Sequence, residues 1–308
     1  MIEKFARSLT GSAVQPVLRF ERHYGAPPRD IWSALTEPAR LRRWLGEVTG
    51  DPDHGFRIAF PAAPDAPAHA RIESCEPERR LVARWEWPGE QPSRIVVELT
   101  PDRDGTRLEL THRLGEPDHL PDYGAGWEQC FSTLAVLLGA SAPDRTDATA
   151  AATRWRDMQG RALDVALDLP APPERVWDAV ATADGLRSWW WTHWDDVEIT
   201  ADARPGGAYR IAAAGAGILL EGRYLEVEAP THLSFTWRWS DADGTSVDEA
   251  CDVTIAPTDD GGSRLTVRHS GPWSDDAPAE SYRQGWEFTL AQLRRTLADE
   301  SRRPRRED

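Results

Sequence analysis

APPRDIWSALTEPARLRRWL at residues 26–45 and APPERVWDAVATADGLRSWW at residues 171–190 are two copies of one pattern. Laid on each other, they place Trp32 on Trp177 and Trp44 on Trp189. Further along, RWEW (Arg84 to Trp87) matches TWRW (Thr236 to Trp239), and GTRLELTH ending at His112 matches GSRLTVRH ending at His269. Last, GWE at Gly126 matches GWE at Gly285. The order is kept and the separation widens slowly, so one domain is duplicated, with small insertions in the second copy. A period of roughly 150 residues is that of a domain, not of a solenoid repeat.

Each copy reads the same way. A first strand, at 17–24 and 162–169, alternates with period two. The double proline then opens a short helix at Asp30 or Glu174, since proline suits a first helical turn. A second short helix carries LRRW or LRSW. Strands are predicted at 55–60, 69–75, 80–87, 93–100 and 106–113, and in the second copy at 207–213, 217–227, 232–239, 246–256 and 263–269. Trp127, Phe131, Leu134 and Leu138 in one closing helix, and Trp286, Leu290, Leu293 and Leu297 in the other, form a single apolar stripe. The predicted class is α+β. Two tandem domains each wrap a curved antiparallel sheet around a long C-terminal helix, with two short helices after the first strand. The divisions read as an N-terminal extension at 1–16, domain one at 17–139, a partly helical linker at 140–160, domain two at 161–298 and a charged tail at 299–308. Trp155 in the linker is placed to dock on a domain.

Composition narrows the function. The 308 residues carry 51 acidic against 36 basic side chains, a net charge of −15. Such a chain is a poor partner for nucleic acid or anionic membrane. All but one of the basic residues are arginine, which with the many Ala and Pro reads as coding bias. No run of about 18 apolar residues is present, so no spanning helix is predicted. The first residues lack a leader's apolar core, and a cytoplasmic location is expected. Cys75, Cys130 and Cys251 are widely spaced, which predicts neither disulfides nor structural zinc. His193 with Asp195 and Asp196 lacks a second His or Cys at ligand spacing, so no metal is expected. No cofactor is expected either, because phosphate-binding loops and nucleophile motifs are missing. The 15 tryptophans stand out.

The run from the double proline through Leu-x-x-Trp to the late GWE resembles the START-like, helix-grip proteins (SRPBCC, Bet v 1-like). More narrowly it resembles the branch named after the activator of the Hsp90 ATPase. The resemblance covers about 17–139 and 162–298. It implies a hydrophobic cavity between sheet and last helix. The tandem layout is similar to di-domain polyketide aromatase/cyclases and to helix-grip proteins of enediyne clusters. No catalytic motif of those enzymes is matched residue by residue.

Period-two alternation points Phe56, Trp85, Trp87, Tyr209, Trp237 and Trp239 inward, with Tyr24, Trp127, Phe131, Tyr224 and Trp286 beside them. These are the candidate ligand walls, or else ordinary core. Trp190 and Trp191, in the run WWWTHWDD, are extra to the second copy and are candidates for a cavity mouth. Polar residues on the same faces are His112, His269, Arg22 and Glu249, the last standing where copy one has Ser93. His112 and His269 either meet a ligand carbonyl or a proton in the cavity or are satisfied by nearby backbone; Arg22 and Glu249 either give the two cavities different polarity or lie at strand ends and reach solvent. The leading expectation is a carrier or sequestering protein for an elongated or polycyclic natural product of polyketide, polyene or enediyne type. The alternatives are a cyclase/aromatase using one of these polar groups and, more remotely, an Hsp90 co-chaperone. No obligate protein partner is evident.

Overall fold

The computed structural model describes residues 5–61, 63–140 and 147–302. These form two compact units, divided between Gln159 and Gly160.

In the first unit, β1 (Phe5–Gly11) and β2 (Pro16–Tyr24) form a hairpin, followed by α1 (Pro28–Thr36) and α2 (Pro38–Leu41). Then come β3 (Glu47–Asp51), β4 (Gly55–Phe60), β5 (Ala63–Glu76), β6 (Arg80–Glu86), β7 (Ser93–Asp102) and β8 (Gly105–Arg113). The eight strands make one antiparallel sheet in the order β1-β2-β8-β7-β6-β5-β4-β3. It is covered by α3 (Leu120–Leu137), and α4 (Ala148–Gly160) packs behind. The second unit repeats the plan with β9 (Leu163–Leu169), α5 (Pro173–Ala181), α6 (Ala183–Arg187), β10 (Val197–Ala201), β11 (Ala208–Ala213), β12 (Ile218–Glu228) and β13 (His232–Asp241). It continues through β14 (Gly244–Thr245), β15 (Glu249–Pro257), β16 (Ser263–Ser270) and the closing α7 (Ala277–Arg302). The sheet order is β10-β11-β12-β13-β15-β16-β9, with β14 paired to β13.

Local chemistry explains the repeated motif. Pro28 and Pro173 begin α1 and α5 with φ already fixed for a helix, and Asp30 and Glu174 put negative charge in the first turn. The tryptophan of Leu-x-x-Trp lashes the short helices together. Trp44 Nε1 donates to the Ala34 carbonyl at 2.9 Å, and Trp189 Nε1 donates to the Ala179 carbonyl at 2.9 Å.

The sequence reading needs correction at the ends. Residues 1–16 are not merely an extension, because Phe5–Gly11 pairs along β2 from Phe5↔Arg22 to Gly11↔Pro16. The short strands β3, β10 and β14 lie outside every predicted strand. Helix α7 runs on to Arg302, so the reading of a charged tail is corrected there; its remainder, 303–308, and linker residues 141–146 lie outside the described residues.

The helical linker is built into the first unit. Gly124 on α3 faces Trp155 on α4 so closely that a Cβ there would sit 2.3 Å from the indole. Buried Glu128, one turn on, accepts from Trp155 Nε1 at 2.9 Å and from Arg154 at 3.1 Å, and it pairs with Arg7 of β1 at 3.0 Å. One carboxylate therefore ties β1, α3 and α4. On α7 the matching residues are Arg283 and Glu287, and Glu287 is exposed. Glu128→Gln leaves two arginines facing a neutral amide and is expected to destabilise the first unit by about 3 kcal/mol. Gly124→Ala is expected to destabilise it by about 1–3 kcal/mol through overpacking. Urea unfolding of both variants, with Gly126→Ala at an open position as control, checks this.

Candidate functional site

The strand register carries the site. Trp85 pairs with Ser93 and Ile95 with His112; in the second unit Trp237 pairs with Glu249 and Cys251 with His269. Each histidine thus points off the same face as a tryptophan two strands away, toward the closing helix.

In both units that helix donates to the histidine. Trp127 Nε1 reaches His112 Nδ1 at 3.0 Å, and Trp286 Nε1 reaches His269 Nδ1 at 3.3 Å. An indole only donates, so Nδ1 accepts and the proton of the neutral ring sits on Nε2. Burial pulls both histidines down to about 3, so both are neutral at pH 7.

The two units then diverge. His112 Nε2 meets Ser93 Oγ at 2.8 Å, and Ser93 passes its own proton toward the Trp85 carbonyl at 3.4 Å. Trp85 Nε1 donates to Tyr123 Oη at 3.2 Å, and Tyr123 donates to Glu90 at 2.6 Å. Every polar atom of that chain has a partner. In the second unit Glu249 replaces Ser93, but its oxygens are taken by Trp273 Nε1 at 2.7 Å and Tyr282 Oη at 2.8 Å. Burial raises the Glu249 carboxyl above the ordinary carboxylate range, against the pull of those donors. His269 Nε2 stands 3.8 Å from Glu249, too far for a hydrogen bond, and has no partner. The buried indole nitrogens of Trp190 and Trp237 also lack one.

Beside this corner lies a cavity of about 40 Å³ whose sixteen lining residues include no charged side chain. Trp190, Trp237 and Trp286 form one end, with ring centroids 5.3–6.3 Å apart. Tyr209, Tyr224 and Phe235 form the other. In the first unit Trp85 and Trp127 keep the matching contact, with ring centroids 6.2 Å apart, while Leu45 stands where the second has Trp190 and Ala83 where it has Phe235. A larger cleft of about 410 Å³ there lies among Arg57, His69, Arg71 and Arg84 on the exposed face of β4–β6, not in the interior.

The profile of the family described as "Activator of Hsp90 ATPase homolog 1-like protein" matches residues 25–139 and again 170–298. The chain belongs to this family. Among solved structures, CalU16 from Micromonospora echinospora is 28% identical with a TM-score of 0.43, over 52% of this chain and 99% of its own. DynU16, of the dynemicin biosynthetic locus, is 20% identical with a TM-score of 0.37, over 93% of this chain and 99% of its own. CV1439 from Chromobacterium violaceum is 30% identical with a TM-score of 0.37, over 44% of this chain and 97% of its own. No curated protein matches the chain.

In this tandem member of the Hsp90-ATPase-activator-like family, both units have the helix-grip architecture. Of the sequence candidates, Trp190, Tyr209, Tyr224, Trp237 and Trp286 line the cavity. Trp191 packs beside it, against Trp190 and Trp239, and Trp239 ends half-buried with its Nε1 on Asp241 at 2.7 Å. Tyr24, Phe56, Trp85, Trp127 and Phe131 are buried in the first unit's core, with Trp87 partly so. Arg22 does not reach solvent: it is buried and donates to the Phe131 carbonyl at 3.4 Å, where Tyr24 Oη also points. Glu249 is likewise buried. Sequence reasoning missed Trp273 and Tyr282 around Glu249, and Tyr123. A signal existed, since Tyr123 and Tyr282 each stand four residues before the helix tryptophan and share its stripe. Among the described residues no group of three or more His, Cys, Asp or Glu is placed to hold a metal, and no helix is long and apolar enough to cross a membrane.

The buried histidines make stability depend on pH. In the unfolded chain each takes up a proton below about 6.5; in the folded chain neither does until about 3. These two histidines therefore cost stability as pH falls through that window, by up to about 1.4 kcal/mol per pH unit each, offset in part by His232, which Asp252 holds above its ordinary value. Urea unfolding at pH 7, 6 and 5 is expected to show this fall, with a shallower slope in His112→Gln.

Proposed function

We propose that the protein holds an elongated or polycyclic, conjugated natural product inside its second unit, for carriage or sequestration in a biosynthetic or self-resistance pathway. The observation that carries this reading is the uncharged, aromatic-walled cavity between the second sheet and α7. Flat indole and phenol faces give large contact area to a flat or rod-like π system, with little side-chain entropy to lose. Family membership supports the same site, because the helix-grip plan encloses its apolar space there.

The cavity at about 40 Å³ has room for only a few waters. A ligand of the proposed class must displace wall residues as it enters. The turn that carries Trp190 and Trp191 is the mobile wall in this reading. It follows α6, its rings pack on one another, and Trp191 holds a left-handed φ of +50°. That conformation costs a residue with a Cβ of order 1 kcal/mol or more.

Titration of the full chain with polyene and polycyclic compounds, followed by tryptophan fluorescence, is expected to show saturable quenching with one site per chain. Val253→Phe, which fills the cavity from its wall, is expected to weaken binding at least tenfold. Quenching that never saturates, or that Val253→Phe leaves unchanged, contradicts the proposal.

A further inference from the structure

The second unit repeats the first unit's helix-to-sheet hydrogen bond but leaves the network around it open. In the first unit the ring nitrogens of His112, the Trp85 indole and the Tyr123 hydroxyl are all engaged. In the second, three N–H groups at one corner of the interior are buried without a partner: Trp190 Nε1, Trp237 Nε1 and His269 Nε2. Trp237 Nε1 interacts with the Tyr282 hydroxyl as Trp85 does with Tyr123, but more weakly, outside full hydrogen-bond geometry, so it is the least needy of the three. Trp190 and Trp237 line the cavity, and the His269 ring lies tilted against Trp237 with centroids 4.9 Å apart. Native interiors seldom leave such groups unpaired, and one N–H without a partner forfeits more than one hydrogen bond adds. Three in one corner, against none in the sister network, mark a place where partners arrive from outside.

The chemistry of those partners follows from the donors. Indole offers a proton and no lone pair, and His269 is bound to carry its free proton on Nε2 because Trp286 occupies Nδ1. Both Glu249 oxygens already accept from Trp273 and Tyr282. The corner therefore seeks acceptors. The wall has no charged side chain, so an anion entering it loses hydration without gaining a counter-charge. A neutral oxygen on an otherwise apolar body fits both conditions.

We propose that the ligand of the second unit is a neutral conjugated molecule bearing carbonyl-type oxygens, and that the Trp190 and Trp237 indole N–H groups bind those oxygens. This rests on the apolar-cavity reading above and adds the polar half of the recognition. Selectivity between ligands of one shape then depends on where the oxygen sits. The first unit, with its network closed, takes no part.

The test compares fluorene with fluorenone, the same three-ring frame without and with one carbonyl. Affinities are measured by calorimetry on the full chain, and indole N–H resonances are followed by ¹⁵N NMR, with Trp190 assigned through Trp190→Phe. Fluorenone is expected to bind about tenfold more tightly than fluorene, and to move the Trp190 or Trp237 indole proton downfield where fluorene does not. Trp190→Phe is expected to narrow the difference to about threefold or less. Should that variant fail to fold, the two wild-type spectra decide the question alone. Equal affinities with no downfield shift overturn the donor assignment and leave the apolar cavity standing. Binding of neither compound removes both.

Discussion

One hydrogen bond recurs in both halves of this protein and ties the closing helix to the sheet: the indole N–H of the helix donated to a neutral, buried histidine at the end of the last long strand. It fixes the helix's rotation, so that one stripe of α3 or α7 faces the sheet. It fixes the histidine's tautomer, and so decides which ring nitrogen is left to deal with the interior. Because the bond lies where water does not reach, breaking it leaves two groups unsatisfied at once. The rest of each core is arranged around that tie.

What differs between the units is the residue one strand away. Ser93 is small, so its hydroxyl reaches His112 and relays to the backbone, and the network closes on itself. Glu249 at the matching position is larger and acidic, and it recruits Trp273 and Tyr282 instead, stopping short of His269. A second difference lies at the double tryptophan. Leu45 in the first copy becomes Trp190 in the second, which brings an indole ring against the cavity and leaves its N–H buried without a partner. On the first unit's far side, Glu128 buries the linker helix against α3, whereas the matching Glu287 of α7 is exposed. Duplication has thus produced one unit whose histidine network closes on itself and whose last long helix is braced from outside, and one that keeps a hollow beside an unclosed network.

Much of this was legible in the chain. The repeat and the period-two strands give the architecture, because a strand with one buried face must alternate. The inward direction of His112, His269, Arg22 and Glu249 came from the same rule. Edge strands were harder. EVTGD in β3 and FARSLTG in β1 bury few side chains in a regular alternation, so no pattern marks them. Hydrogen-bond saturation was illegible for a different reason. It depends on the reach of a third side chain across two strands, and Ser93 against Glu249 is a difference of length and angle that no periodicity encodes. The docking of Trp155 likewise turns on Gly124, where the missing Cβ becomes meaningful only once α4 is laid across it.

The central claim is that the second interior is hollow while the first is filled. Xenon, an apolar atom that enters dry cavities, probes it directly. Diffraction from crystals of the full chain pressurised with xenon should show one bound atom per chain between Trp190, Trp286 and Leu290, and none among the core residues of the first unit. Xenon in the first interior, or in neither, would contradict the account.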